Sequence, residues 1–365
     1  MKKYFIFLFL LFIFLAGCND NNVVDTSSYI PQMQLRDRYI KSGIQTIGER
    51  KWSLTTNAAI NSSPAVANSK VIFANKKGLV TALNSLSGGR LWTKQLPAKV
   101  DEASVEIDDN NVYVSCDNGV FYALNSSTGA MLWEVPTSNK ILSTPVFNNK
   151  HVIFTSGDGN IYFIDKKHGT LEHKITHMAP IQSSPTIYKN TVYVGSYDGK
   201  IYAYDVNTQS SLWTFKTKDA ILAKPIVFEN KLYIGSTDNN FYCINTQRGS
   251  LLWSKKLSGI IKSTAVYYKN NVFVADAKGY VYAFRADSGE LIWKFKTNGA
   301  ILSSPACVDD IIYITSGDGF IYALKTQTGT LKWKFGVGTA IYSSPVINNG
   351  IVYFGADNGK FYAIK

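Results

Sequence analysis

The chain is built of short apolar bursts. Runs of four to six residues rich in Ile, Val, Tyr and Phe alternate with clusters of Asp, Asn and Gly. Residues 301–333 show the pattern in full: Ile-Leu-Ser-Ser-Pro-Ala-Cys-Val, Asp-Asp, Ile-Ile-Tyr-Ile-Thr, Ser-Gly-Asp-Gly, Phe-Ile-Tyr-Ala-Leu, then Lys-Thr-Gln-Thr-Gly-Thr-Leu-Lys-Trp. β-Branched and aromatic runs bounded by turn residues predict strands. Asp318-Gly319 predicts a tight hairpin, because Gly accepts positive φ and Asp tolerates the left-handed region. A helix would need apolar residues every three or four positions and no Gly-Asp-Gly in its middle. The stretch reads as a four-stranded meander.

Four markers repeat this unit along the chain. Tryptophan recurs at Trp52, Trp92, Trp133, Trp213, Trp253, Trp293 and Trp333, with His173 in the remaining place. A small-small-Pro element recurs, for example at Pro64, Pro145 and Pro305, with Val105 and Ala265 standing in twice. An aromatic-Ala marker (Tyr122, Tyr202, Tyr322) and a turn glycine (Gly119, Gly199, Gly319) recur in step, with Asn239 replacing the glycine once. The step is 40 residues, except one of 41 caused by an extra residue between Trp92 and Val105. Eight copies of a roughly 40–45-residue, four-stranded unit predict an all-β, eight-bladed β-propeller of four-stranded antiparallel blades.

The phase of the repeat predicts how the ring closes. The first marker is a Trp-bearing fourth strand around Trp52, with no first three strands before it; the chain ends on a third strand, Phe-Tyr-Ala-Ile-Lys, with no fourth after it. The N-terminal strand therefore completes the last blade, which pairs two otherwise exposed edges.

The N-terminus has a different character. Met-Lys-Lys is followed by an unbroken apolar stretch at residues 4–16. That is shorter than the roughly 17–25 residues of a membrane-spanning helix, and fits the apolar region of a secretion signal. Leu15-Ala16-Gly17-Cys18 resembles the bacterial lipobox, which implies cleavage before Cys18 and lipidation of that cysteine. Residues 1–17 are thus read as a lipoprotein signal, 18–48 as a lipidated polar tether and 49–365 as the propeller. Asn19 in place of the Asp that retains enteric lipoproteins at the inner membrane directs the expectation to the periplasmic face of the outer membrane.

Charge and candidate chemistry change this picture little. Without residues 1–17 the chain keeps 36 basic against 26 acidic residues. With no run of five basic residues in an exported chain, nucleic acid is excluded and lysine is assigned to solvent-facing strand positions. Cys116, Cys243 and Cys307 fall in the second, third and first strands of three different repeats and are not expected to pair. His151, His168, His173 and His177 share one repeat, but strand and turn positions do not converge as a zinc site requires, so no metal is expected. The residues before each Pro or its stand-in form an inner ring: Ser63, Ser104, Thr144, Ser184, Lys224, Thr264, Ser304 and Ser344. That ring is expected to be polar and nearly uncharged, with Glu102 and Lys262 nearby and no paired carboxylates. It reads as a lining and not as a catalytic centre.

The segment Ala-Leu-Asn-Ser-Ser-Thr-Gly-Ala-Met-Leu-Trp at residues 123–133, repeated at 283–293 and 323–333, resembles the tryptophan-docking repeat of quinoprotein (PQQ-type) eight-bladed propellers. Alcohol-oxidising members of that group carry an adjacent Cys pair and a calcium site of Glu, Asn and Asp; this sequence has neither, so no cofactor and no enzymatic activity are expected. The short, lipidated, cofactor-free subgroup that it resembles is the BamB family of the outer-membrane β-barrel assembly machinery. That resemblance implies a non-catalytic scaffold, a monomer within a complex, that binds the POTRA region of the barrel insertase through loops of two adjacent blades. Here those loops are residues 176–182 and 216–222, with His177, Met178, Ile181, Gln182, Lys218 and Asp219 as candidate contacts. The family's Arg and Asp contacts are not reproduced in register. The alternatives are a propeller lipoprotein serving another envelope protein or a ligand, and a quinone-dependent oxidoreductase.

Overall fold

The computed structural model describes residues 48–365 except Glu102, Ser104 and Asp109. Cys18, the signal and all of the tether but Gly48 lie outside the described residues.

Eight four-stranded antiparallel sheets form the eight blades. Blades 1 to 7 occupy residues 65–95, 105–136, 146–176, 186–216, 226–256, 266–296 and 306–336. In each, strands A to D follow in chain order from the axis outward. Blade 8 is composite: Arg50–Thr55 is its strand D and pairs with Lys360–Ile364, as the phase of the repeat predicts. The backbones of Glu49 and Lys365 exchange two further hydrogen bonds, 2.9 and 2.8 Å.

Turn chemistry follows the local sequence. The A–B turns at Asn68-Ser69 and Asp309-Asp310 place both central residues at positive φ (47° and 59°; 48° and 62°), the backbone that matches the twist of a two-residue hairpin. In four B–C turns an aspartate accepts both the backbone N–H two residues on and the hydroxyl of the marker tyrosine. Tyr162, Tyr202, Tyr242 and Tyr322 donate to Asp158, Asp198, Asp238 and Asp318 at 2.6–2.7 Å.

The core is eight separate apolar clusters, one in each interface between consecutive blades. The tryptophans fasten these interfaces. Trp92, Trp213, Trp253 and Trp293 donate their indole N–H to the carbonyls of Ser126, Thr246, Ala286 and Thr326 in the next blade, at 2.7–3.1 Å. Each indole also lies on a glycine of that blade's C–D turn. A Cβ at Gly329, for instance, would stand 2.6 Å from Trp293 Cδ2. Burying each such ring contributes on the order of 2–3 kcal/mol.

Two positions depart from the rule together. Where His173 replaces the tryptophan, the opposing glycine is replaced by Gln209, which keeps the left-handed backbone (φ 56°). The Gln209 amide donates to the carbonyl of Val206 at 2.9 Å, the repeat equivalent of the carbonyls that accept indole N–H groups elsewhere. At the ring junction the C–D turn of blade 8 is cut by the chain ends. Gly48 supplies the packing surface for Trp333 (3.0 Å to Cε3), while Trp333 Nε1 is buried with no acceptor among the described residues. Restoring the consensus with His173→Trp and Gln209→Gly together is expected to stabilise the fold by about 2 kcal/mol, with favourable coupling of about 1 kcal/mol between the sites. Thermal unfolding of both single variants and the double checks this; strict additivity would refute the docking role of the pair.

Candidate functional site

Each D-to-A connection turns at the axis and directs its last residues inward. Together they enclose a cavity of about 590 Å³ at one end of the ring. Ser and Thr residues form a belt around it. The backbone N–H of Thr144, Thr264, Ser304 and Ser344 donates to the hydroxyl of Ser184, Ser304, Ser344 and Ser63 respectively, each one blade on, at 2.9–3.0 Å. Small hydroxyl residues precede the prolines because the chains crowd here, and because the hydroxyl satisfies a neighbour's backbone at the start of a short strand.

The expectation of a nearly uncharged lining is corrected by the structure. Besides Lys224, the cavity is lined by Glu106, Lys76, Asp101, Lys140 and Lys262. Glu106 (6% exposed) and Lys224 (8% exposed) are both buried and lie three blades apart around the ring. Burial pushes the Glu106 carboxyl up to about 7, against the lowering effect of the Lys224 charge. Burial likewise draws the Lys224 ammonium down to about 8, against the raising effect of Glu106. Each ion is the other's compensation in a region that penalises both. Asp101 is held by Lys76 at 3.3 Å and accepts from Asn61 Nδ2 at 3.2 Å, while Asn61 Oδ1 is buried with no hydrogen-bond partner among the described residues. Glu106 escaped the sequence reading because only the position before each proline was compared. Two columns further on, the other blades carry Ala65, Val146, Thr186, Ile226, Val266, Ala306 and Val346, and Glu106 is the one charge in that column.

The two candidate partner loops lie at the same end of the ring. Met178 is fully exposed, while Ile181 is fully buried in the interface between blades 3 and 4. Ile181 thus supports its loop from beneath and presents no surface. His177 is half-buried: its Nε2 lies 2.9 Å from the Tyr204 hydroxyl, its ring packs 4.4 Å from that of Tyr202, and burial lowers its pKa. Gln182 turns into the cavity and accepts from the Tyr197 hydroxyl at 2.8 Å. On the next blade, Lys218 and Asp219 are exposed. The Lys218 backbone N–H donates to Asp238 Oδ2 at 3.0 Å, and Asp219 Oδ1 accepts from the Ala220 N–H at 2.8 Å, so both side chains rise from a fixed backbone.

The histidines have separate structural roles. His151 Nε2 is 2.6 Å from Glu172, which also pairs with Lys150, and His168 Nδ1 is 3.0 Å from Asp165. Among the described residues no three or more His, Cys, Asp or Glu side chains converge. The residues do not fit a quinone with its calcium ion. Cys116, which sits one residue past its strand, Cys243 and Cys307 are buried and unpaired in three blades. The two described carboxylates of the cavity are each opposed by a lysine.

A family model described as "Outer membrane protein assembly factor BamB" matches residues 37–105 and 76–208. A second, described as "Beta-alanine-activating enzyme, beta-propeller", matches residues 174–365. The outer membrane protein assembly factor BamB of Moranella endobia (strain PCIT) is 27% identical over 123 residues, a stretch that spans 31% of each chain. The crystal structure of BamB from Moraxella catarrhalis superposes with a TM-score of 0.75 at 21% identity, covering 88% of this chain and 98% of that one. The computationally designed Ika8 protein gives 0.78 at 21% identity, covering 87% and 99%. The quinohemoprotein alcohol dehydrogenase of Comamonas testosteroni gives 0.72 at 14%, covering 87% and 76%. At these identities the superpositions speak for fold alone. Eight blades, seven of them with a docked tryptophan, closed by the strand Arg50–Thr55, together with the BamB family model over residues 37–208, make this chain a BamB-like, PQQ-type eight-bladed β-propeller.

Proposed function

We propose that the protein is a non-catalytic scaffold of outer-membrane β-barrel assembly, anchored by lipid on Cys18 at the periplasmic face of the outer membrane, that binds the POTRA region of the barrel insertase. One observation carries this reading. Met178, Lys218 and Asp219 stand exposed on neighbouring loops with fixed backbones, on a ring whose N-terminal half matches the BamB family. Loops whose backbone is already held lose little backbone entropy on binding, which favours docking. A photo-cross-linker at position 178 of the full-length protein in intact cells is expected to capture a POTRA-bearing insertase. Lys218→Glu on the neighbouring loop should cut that capture severalfold without moving the melting temperature, since its side chain is exposed. Capture of other envelope proteins with no insertase among them would refute the assembly role.

A second reading, a small ligand in the axial cavity, is favoured by the buried charges and by Asn61 Oδ1, which lies beside Asp101 and has no hydrogen-bond partner among the described residues. It requires a compound that raises the melting temperature by mass action in the native protein and not in Asn61→Ala.

A further inference from the structure

Strand D of each blade is the rim of the ring, and its composition is uneven. In blades 2 and 3 it includes Glu134 and Glu172. Along the arc from blade 5 through blade 8 to blade 1 every strand D carries two basic residues and no acid, and at its centre, in blades 6, 7 and 8, it reads Leu-Ile-Trp-Lys-Phe-Lys, Leu-Lys-Trp-Lys-Phe-Gly and Arg-Lys-Trp-Ser-Leu-Thr. A bulge between strands C and D, at Ala283/Phe284 in blade 6, turns two consecutive residues outward. Leu291 and Ile292 are both exposed, as is Leu331 one blade on. Beside them Lys294, Lys296, Lys332 and Lys334 are exposed. Three of these ammonium groups are stationed over rings: Lys294 and Lys296 over Tyr280 at 5.8 and 5.2 Å, and Lys334 over Phe320 at 4.5 Å.

We infer that the rim of blades 6 to 8 is a membrane-apposed surface that takes anionic phospholipid headgroups. Two features select a bilayer over an acidic protein or a second copy. Exposed aliphatic side chains beside lysines match an interface in which apolar groups reach the acyl boundary while ammonium groups sit at headgroup level. The chain also enters the ring through blade 8. The 47 residues that precede the described ring, with their apolar stretch at residues 4–16, lead into Arg50–Thr55. Membrane attachment of that segment would tether the ring through blade 8. Clusters of four to eight basic residues at such a position read as anionic-lipid sites. The inference deepens the lipid-anchored reading, yet it predicts binding without the anchor.

The test therefore uses the chain from Asn19, which lacks the signal and Cys18 and keeps the whole closed ring. Flotation with vesicles of phosphatidylcholine and about one-third phosphatidylglycerol should carry the protein upward at low salt. Binding should fall severalfold at 0.5 M NaCl, because surface charge is screened, and vanish on pure phosphatidylcholine. Converting Lys294, Lys296, Lys332 and Lys334 to Gln should lower the partition coefficient at least tenfold. The same change at Lys150, Lys167, Lys174 and Lys189, on the opposite side, should leave it within twofold. Equal losses from both sets would reduce the effect to net charge and overturn the inference. No binding by the native rim, or self-association lost only in the first variant, would overturn it as well. Loss of the assembly role alone would leave this result unchanged.

Discussion

Deleting residues 19–55, so that the chain begins at Thr56, is expected to leave no cooperatively folded ring. Strand Arg50–Thr55 covers the edge of Lys360–Ile364 over five paired positions, and Trp52 and Leu54 pack on the cluster containing Ile60, Phe73, Tyr353 and Phe361. Removing it strips two large side chains from one blade interface and exposes an edge strand to other molecules. At about 2–3 kcal/mol for each large apolar side chain, plus the lost strand pairing, the deletion removes on the order of 5 kcal/mol or more, comparable with the whole stability of many domains. The shortened protein should elute as aggregate, or melt at least 15 °C below one beginning at Asn19. A synthetic peptide of residues 48–56 should recover part of the transition in proportion to its concentration. An unchanged melting temperature would mean that the composite blade contributes nothing to closure. The C-terminal end gives the same contact its other half, so removing residues 361–365 should be at least as damaging.

The second large effect is at the axis. Lys224→Met leaves the buried Glu106 carboxyl without the cation that lowers its pKa. Breaking such a pair from one side costs about 3–5 kcal/mol where the remaining group is charged, while replacing both partners is close to neutral. The loss should approach 3 kcal/mol at about pH 7.5, between the two folded pKa values, and shrink towards pH 5.5, where Glu106 takes up a proton and becomes neutral. Glu106→Met with Lys224→Met should lie within about 1 kcal/mol of the native protein. The native protein should also show the linkage. The folded pKa of Glu106 is raised from 4.5 to about 7, so its share of stability is complete below 4.5 and is lost as the pH rises through 7. The folded pKa of Lys224 is lowered from 10.5 to about 8, so its share is complete above 10.5 and is lost as the pH falls through 8. Together they predict a shallow minimum of stability between about pH 7 and 8 that the double variant lacks. Urea unfolding across pH 5–9 measures both effects. A pH-independent loss in Lys224→Met would show that packing and not charge accounts for it.

These two effects differ in how far they could be read from the residues. The closing strand was legible because the repeat has a phase: a Trp-bearing fourth strand near the start and a third strand at the end can be matched without coordinates. The axial pair was not legible as a pair. Lys224 was seen as an exception in its column, but Glu106 lies in another column and another blade, and nothing local brings the two together. The partner loops divide in the same way. The family resemblance proposes residues 176–182 and 216–222 as those loops, but does not separate Met178, which points to solvent, from Ile181, which packs beneath. The His173–Gln209 exchange was half visible. The missing tryptophan was plain, while its compensation lay 36 residues on in a turn that is ordinary by itself.

The sequence by itself determined the strands, the turns, the number of blades and the manner of closure, because each is set within a unit of about 40 residues or by the phase of its repetition. The tertiary structure alone decided which charged side chains are buried near one another at the axis and which loop residues face outward. Those outcomes depend on bringing distant blades onto one closed circle, where burial and charge act between residues that have no periodic relation along the chain.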